Sequence, residues 1–145
     1  MALADSGALI SPDPFPGALR QAVVEAAEDL GLAEDWLNNG PSKGEGGLYQ
    51  MGLPAGLAAR MQSRSFGPHF TVHLVDRLDQ IHFKLYAAAD RGGYHIEDLL
   101  ALRPTSDEVE GAARWAMGHD VSAGFKGVLK DLLEKLGYAN VAERL

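Results

Sequence analysis

The sequence predicts an α+β domain, with a small antiparallel or mixed sheet and about five helices. The strand-like pattern is confined to the first half, where residues 69–75 alternate apolar and polar side chains. Residues 76–145 instead repeat apolar side chains at helical spacing. This segregation is typical of α+β domains rather than of alternating β-α units. At 145 residues the chain fits a single domain, with helix one and a hairpin in residues 1–75 and a helical part in residues 76–145.

The first forty residues predict two short apolar segments, one helix and one further helical turn. Residues 1–10 contain two apolar pieces around a turn at residues 5–7. Helix one is predicted from Pro16 to Leu30, because proline suits a first helical turn and Gly31 can follow the last one. Residues 33–37 are expected to add one helical turn, with Trp36 as a core anchor. The apolar face of helix one is predicted to contain Leu19, Val23, Ala26, Ala27 and Leu30.

A glycine-rich loop and a hairpin follow. Residues 38–47 are interpreted as a surface loop, because they lack the preceding strand and following helix of a phosphate-binding loop. Met61–Phe66 and His69–Val75 flank a Gly-Pro pair and predict an antiparallel hairpin. His69 and His73 share one face of the second strand, but they lie about 13 Å apart along it, which excludes a shared metal ion.

The stretch from Asp76 to Leu102 contains the candidate functional residues. It predicts a buried helix that Asp76 can cap and that Gly92-Gly93 can end, followed by a second helix from about Tyr94 to Leu102. The predicted buried residues are Leu78, Ile81, Leu85 and Ala88 on the first helix and Ile96, Leu99, Leu100 and Leu102 on the second. The tight glycine turn is expected to bring together Lys84, Asp90, Arg91, His95 and Asp98.

Two long helices are predicted after this stretch. Thr105 and Glu108 form a capping box, and that helix runs to about Gly118. Asp120 or Ser122 starts the last long helix, which ends at Gly137, and residues 138–145 are either a last helical turn or a frayed tail. The buried positions are predicted to be Val109, Ala112, Ala113, Trp115 and Ala116, then Phe125, Val128, Leu129, Leu132, Leu133 and Leu136.

Several polar side chains allow two interpretations. Lys84 can extend from the polar stripe of its helix, or its ammonium can hold a polyphosphate beside apolar walls. For Asp98 we favour an ion pair with Lys84 or Arg91 over general-base chemistry. His95 is expected at the surface, although it could donate to phosphate. His82 is predicted to be partly buried and hydrogen-bonded, and His119 to lie at a helix end that favours a cation.

The segment HFKLYAAADRGGYHIEDLLALRPT, residues 82–105, resembles an uncharacterised bacterial family of nucleotidyltransferase-like proteins. That family is related to toxin and abortive-infection nucleotidyltransferases, which share a Lys-Leu-x-Ala, Arg, Asp-Leu pattern across two helices. The matching residues here are Lys84 to Ala87, Arg91 and Asp98-Leu99. A second resemblance lies in LGLAEDWLNNGP, residues 30–41.

The resemblance implies a nucleotidyltransferase-like C-terminal portion and a substrate-binding role for Lys84, Arg91, His95 and Asp98. Such proteins begin with a Gly-Gly or Gly-Ser turn and an Asp-x-Asp strand that binds metal, and we expect this chain to start just after that strand. The family's third carboxylate falls near His73. We therefore expect no nucleotide transfer by this chain, no metal site and no identifiable catalytic residue, with NTP and Mg²⁺ as cofactors only where the family activity is retained. The alternative is a protein-interaction or antitoxin-like, self-associating module without catalysis.

Composition limits the partners and chemistry. The formal charge of −7 argues against nucleic acid as a partner, because nucleic-acid binding favours a basic surface. The chain has no cysteine, which excludes disulfides and thiolate metal sites. No secretory signal or membrane span is predicted, so a cytoplasmic location is expected. An uncovered sheet edge predicts a homodimer or larger oligomer, with a protein partner as the alternative.

Overall fold

A computed structural model describes residues 2–3, 9–10, 16–33, 36–37, 52–68 and 70–145. The predicted α+β class is confirmed: the described residues form seven helices and two separate two-stranded sheets. The elements are β1 Ala2–Leu3, β2 Leu9–Ile10, α1 Gly17–Leu30, α2 Leu57–Arg60, β3 Gln62–Ser65, β4 Thr71–Leu74, α3 Arg77–Arg91, α4 Tyr94–Ala101, α5 Ser106–His119, α6 Ala123–Lys135 and α7 Ala139–Arg144. The turn at residues 5–7, the glycine-rich loop at 38–47 and His69 lie outside the described residues.

The chain divides into two compact units. Unit 1 comprises Met1–Leu53 and Arg64–His73, and unit 2 comprises Pro54–Ser63 and Leu74–Leu145. No helix in the described part of the chain has both the length and the apolar character needed to cross a membrane.

In unit 1, α1 ends as predicted, because Gly31 adopts the left-handed conformation at φ 64° and ψ 35°. Two expectations for this unit are wrong. Leu30 is exposed, and Trp36 is 43% exposed rather than a core anchor. The predicted turn at residues 33–37 lies partly outside the described residues, and the backbone N–H of Trp36 donates to the carbonyl of Ala33 at 3.0 Å. The Trp36 ring nitrogen donates to the carbonyl of Val23 at 3.0 Å.

The predicted hairpin is present in β3 and β4. The N–H of Phe66 donates to the carbonyl of Phe70 at 2.7 Å, and a connection this short permits only antiparallel strands. Phe66 and Phe70 pack ring against ring with centroids 5.8 Å apart, yet both remain about half exposed. The hairpin is therefore more exposed than its alternating sequence predicts. The other sheet pairs β1 with β2 in antiparallel register, Ala2 opposite Ile10 and Leu3 opposite Leu9.

Unit 2 is a helical cluster in which α3 packs against α4, α5 and α6. Its core is formed largely by the predicted residues: Ile81, Leu85, Ala88, Leu99, Val109, Ala112, Ala113, Ala116, Phe125, Leu129, Leu132 and Leu133, joined by Val141 and Ala142. The last two belong to α7, so the C-terminal segment is a docked helix rather than a frayed tail. Three predicted side-chain caps are present: Asp76 on α3, Thr105 on α5 as a complete capping box with Glu108, and Ser122, one of two candidates, on α6.

Two predicted core residues of unit 2 are exposed. Leu100 and Val128 each lie next to a fully buried leucine, Leu99 and Leu129. Because successive residues of a helix point about 100° apart, the inward position taken by one leucine turns its neighbour toward the surface. The apolar stripes of α4 and α6 are therefore narrower than the sequence pattern indicates.

Candidate functional site

The site begins with the glycine turn that separates α3 from α4. Gly92 (φ 64°, ψ −141°) and Gly93 (φ 60°, ψ −141°) occupy a backbone region that is essentially restricted to glycine. The N–H of Gly92 still donates to the carbonyl of Ala88, and α4 begins at once with Tyr94. The two helices are thus joined without a loop. We define the α3–α4 corner as the side chains that meet there: Lys84, Asp90, Arg91, Tyr94, His95 and Asp98.

The central contact of the α3–α4 corner is an ion pair between the two helices. The Lys84 Nζ lies 2.5 Å from the Asp98 Oδ2, so the predicted pair forms with Lys84 rather than Arg91. The side chains are 32% and 46% exposed, so both remain open to water. The Tyr94 ring centroid lies 5.7 Å from the same ammonium, within reach of a cation–π interaction.

His95 lies beside this pair and is partly buried, not a surface histidine. Its ring stacks on Tyr94 with centroids 4.1 Å apart, and its Nδ1 is buried with no hydrogen-bond partner among the described residues. Burial lowers the pKa of His95, and the positive charges of Lys84 and Arg91 lower it further, against the opposing effect of Asp98 and Asp90. The imidazole is therefore favoured in its neutral form at pH 7.

Arg91 completes the set of predicted site residues. Its Nε lies 3.2 Å from the Asp90 Oδ2, and both side chains are at least half exposed. The positive charge of Arg91, like that of Lys84, lowers the pKa of His95. The structure therefore brings Lys84, His95 and Asp98 together and leaves the Arg91 guanidinium at the edge, largely in water.

Sequence reasoning missed a buried ion pair in unit 2. Asp79 is fully buried, and its two oxygens accept from the Nε and Nη2 of Arg60 at 3.0 and 2.5 Å. Arg60 also donates to the carbonyl of Ala55 at 2.9 Å, so one guanidinium holds its own segment together and bonds it to α3 through Asp79. One sequence signal could have indicated this burial, because Asp79 shares a helix face with Phe83 and Tyr86 at i+4 and i+7.

Arg77 is a second functional residue that the sequence pattern did not indicate. Its guanidinium donates to the carbonyls of Leu102 and Arg103, both at 2.8 Å, and pairs with Glu108 at 2.6 Å. These bonds join the start of α3 to the end of α4 and the start of α5. The hydrogen bonds from Arg77 and from the Thr105 N–H lower the pKa of Glu108 to about 2.

Trp115 forms the centre of an aromatic group on α3 and α5, which confirms its packing role. His82, Phe83, Tyr86 and His119 all lie within 6.3 Å of its ring, centroid to centroid. The Nδ1 of His82 lies 2.8 Å from the carbonyl of Leu78, so this histidine is partly buried and hydrogen-bonded, as predicted. Burial lowers the pKa of His119, which opposes the cation expected at a helix end.

The chemistry available at the α3–α4 corner is charge recognition. Its basic groups suit the oxygens of phosphate, and both carboxylates there, Asp90 and Asp98, are already paired with cations. Within the described ranges, no three His, Asp or Glu side chains cluster closely enough to hold a metal ion.

Comparison with family models, curated proteins and solved structures found no match to this chain.

Proposed function

We propose that this chain is a nucleotidyltransferase-like protein that binds a polyphosphate group, such as that of a nucleotide, without transferring a nucleotide itself. The binding site is the α3–α4 corner. The observation that supports it is the position of Lys84 at the glycine turn, 2.5 Å from Asp98 and 5.7 Å from the Tyr94 ring, with His95 stacked on Tyr94 and Arg91 at the edge. Such a group of donors, reached from two helices, suits an anion with several oxygens.

The pairing of the carboxylates favours binding over transfer. Nucleotide transfer needs Mg²⁺ ions, which carboxylates hold against the phosphate oxygens. At the α3–α4 corner, Asp98 is paired with Lys84, and Asp90 is paired with Arg91. Among the described residues no three His, Asp or Glu side chains cluster closely enough to hold a metal ion, and the two carboxylates of the corner face cations, which favours binding over metal-dependent transfer.

Calorimetric titration with ATP, with and without Mg²⁺, tests the binding step. We expect weak binding by the wild type, at least tenfold loss in Lys84→Ala, and no change in Lys126→Ala, which removes an exposed lysine of α6. A parallel assay follows transfer of radiolabelled nucleotide to RNA or protein, and we expect none. Transfer that disappears in Lys84→Ala would contradict the proposal from one side, and absence of ATP binding by the wild type would contradict it from the other.

A second candidate function is a protein-interaction or antitoxin-like module that self-associates. The observation that favours it is the exposure of large apolar side chains in unit 2, with Tyr94 66% and Val121 88% exposed and Leu100 and Val128 about half exposed. Sedimentation at micromolar concentration distinguishes a homodimer from a monomer. A monomer that binds ATP supports the first function, and a dimer that does not bind ATP supports the second. A cytoplasmic location stays a prediction, which cell fractionation tests.

A further inference from the structure

The Lys84–Asp98 pair occupies the ammonium that an anionic ligand would need. Asp98 comes from the helix after the glycine turn and contacts Lys84 at 2.5 Å. The Tyr94 ring lies over the same ammonium at 5.7 Å. An anion that reaches Lys84 therefore meets a carboxylate already in place, whose charge repels it.

Breaking the Lys84–Asp98 ion pair also costs little free energy. Its two side chains are 32% and 46% exposed, and ion pairs open to solvent contribute little to stability. Asp98 can turn into water without leaving a buried charge behind. The Arg60–Asp79 pair could not be exchanged in this way, because the Asp79 carboxylate is fully buried and would remain out of water once separated from Arg60.

We propose that Asp98 is an autoinhibitory counter-ion, which masks Lys84 and is displaced when a polyphosphate binds at the α3–α4 corner. This inference rests on the proposed function, since it assigns a control to that same site. Binding is then an exchange, in which phosphate oxygens replace the Asp98 carboxylate on Lys84. The affinity of the wild type is lowered by the free energy of breaking the pair and by repulsion from the displaced carboxylate.

Calorimetric titration with inorganic tripolyphosphate tests the masking, because that probe carries the charge without a nucleoside. We expect Asp98→Asn to bind about tenfold more tightly than the wild type at low salt, and the gain to shrink as salt screens the charges. Adding Lys84→Met to Asp98→Asn should abolish the gain. Asp90→Asn is the matched control, since it removes a carboxylate from the same corner that pairs with Arg91, and its gain should stay below about threefold.

Each outcome decides the matter. Equal gains in Asp98→Asn and Asp90→Asn would mean that the net charge of the corner acts, not a mask on Lys84. Unchanged affinity in Asp98→Asn, with binding lost in Lys84→Met alone, would overturn the masking and leave the binding function standing. Absence of binding in every variant would overturn both. Asp98→Ser provides a second neutral variant, and loss of folding in both neutral variants would show a structural pair and overturn the proposal.

Discussion

Replacement of Asp79 by asparagine is expected to destabilise unit 2 strongly. Asp79 is fully buried and accepts two hydrogen bonds from Arg60, whose side chain is 30% exposed. Asparagine preserves the shape and one acceptor, but its amide turns a donor toward the guanidinium. Breaking a buried pair by removing one partner costs about 3–5 kcal/mol. Because Arg60 regains part of its hydration, we expect the lower figure of about 2–3 kcal/mol.

Urea unfolding followed by far-ultraviolet circular dichroism measures this loss. The matched control is Asp131→Asn, which makes the same chemical change on the exposed face of α6 and should alter the free energy of unfolding by less than about 0.5 kcal/mol. A double variant, Arg60→Met with Asp79→Leu, removes both charges and should recover most of the stability. Asp79→Asn within about 0.5 kcal/mol of the wild type would refute the reasoning.

Four further predictions concern turns, caps and pH. The pKa of Glu108 is 4.5 in the unfolded chain and about 2 in the folded one, so its contribution to stability is complete above pH 4.5 and is lost as the pH falls toward 2. The difference in free energy of unfolding between the wild type and Glu108→Gln should therefore decline from pH 4.5 to pH 2, and a constant difference would contradict this reasoning. Gly92→Ala should cost about 1–3 kcal/mol in urea unfolding, because its φ of 64° with ψ of −141° strains any Cβ, and a neutral effect would contradict that strain. Gly127→Ala is its control, since a Cβ there meets nothing within 4 Å, and it should stabilise α6 by up to about 1 kcal/mol, whereas a loss would indicate a contact at that face. Thr105→Ala removes the capping box and should cost about 1 kcal/mol at pH 7, with Thr105→Ser retaining the stability of the wild type; equal losses in the two variants would exclude the hydroxyl as the cause.

The helical half of the fold could be predicted because its signals are local. Asp76 and Thr105 cap their helices through backbone N–H groups two and three residues away, and Gly92 ends α3 through its own backbone angles. None of these depends on a distant partner. The exposed Leu100 and Val128 were beyond prediction for the opposite reason, since the width of a buried stripe depends on how neighbouring helices cover it.

In the candidate site too, contacts between nearby residues could be predicted and contacts between distant residues could not. The contact of Lys84 with Asp98 could be predicted, because fourteen residues and one tight turn fix the positions of both side chains. The contacts of Arg77 and Arg60 could not. Arg77 reaches Glu108 across thirty-one residues, and Arg60 reaches Asp79 from a segment that precedes the hairpin. An arginine in a polar pattern gives no sign of which carboxylate it meets.

Periodicity, caps and glycine conformation act over a few residues, so the fold class, the helix ends and the tight turn of the α3–α4 corner could be predicted from the sequence. Which charges are buried and which are open to water depends instead on how distant segments pack together. Asp79 and Asp98 both lie on helices of unit 2 and both pair with a cation, yet one is wholly out of water and the other is 46% exposed. The burial of a side chain depends on every segment packed around it. Burial of Asp79 makes the Arg60–Asp79 pair part of the folded core, whereas exposure leaves the Lys84–Asp98 pair able to exchange partners.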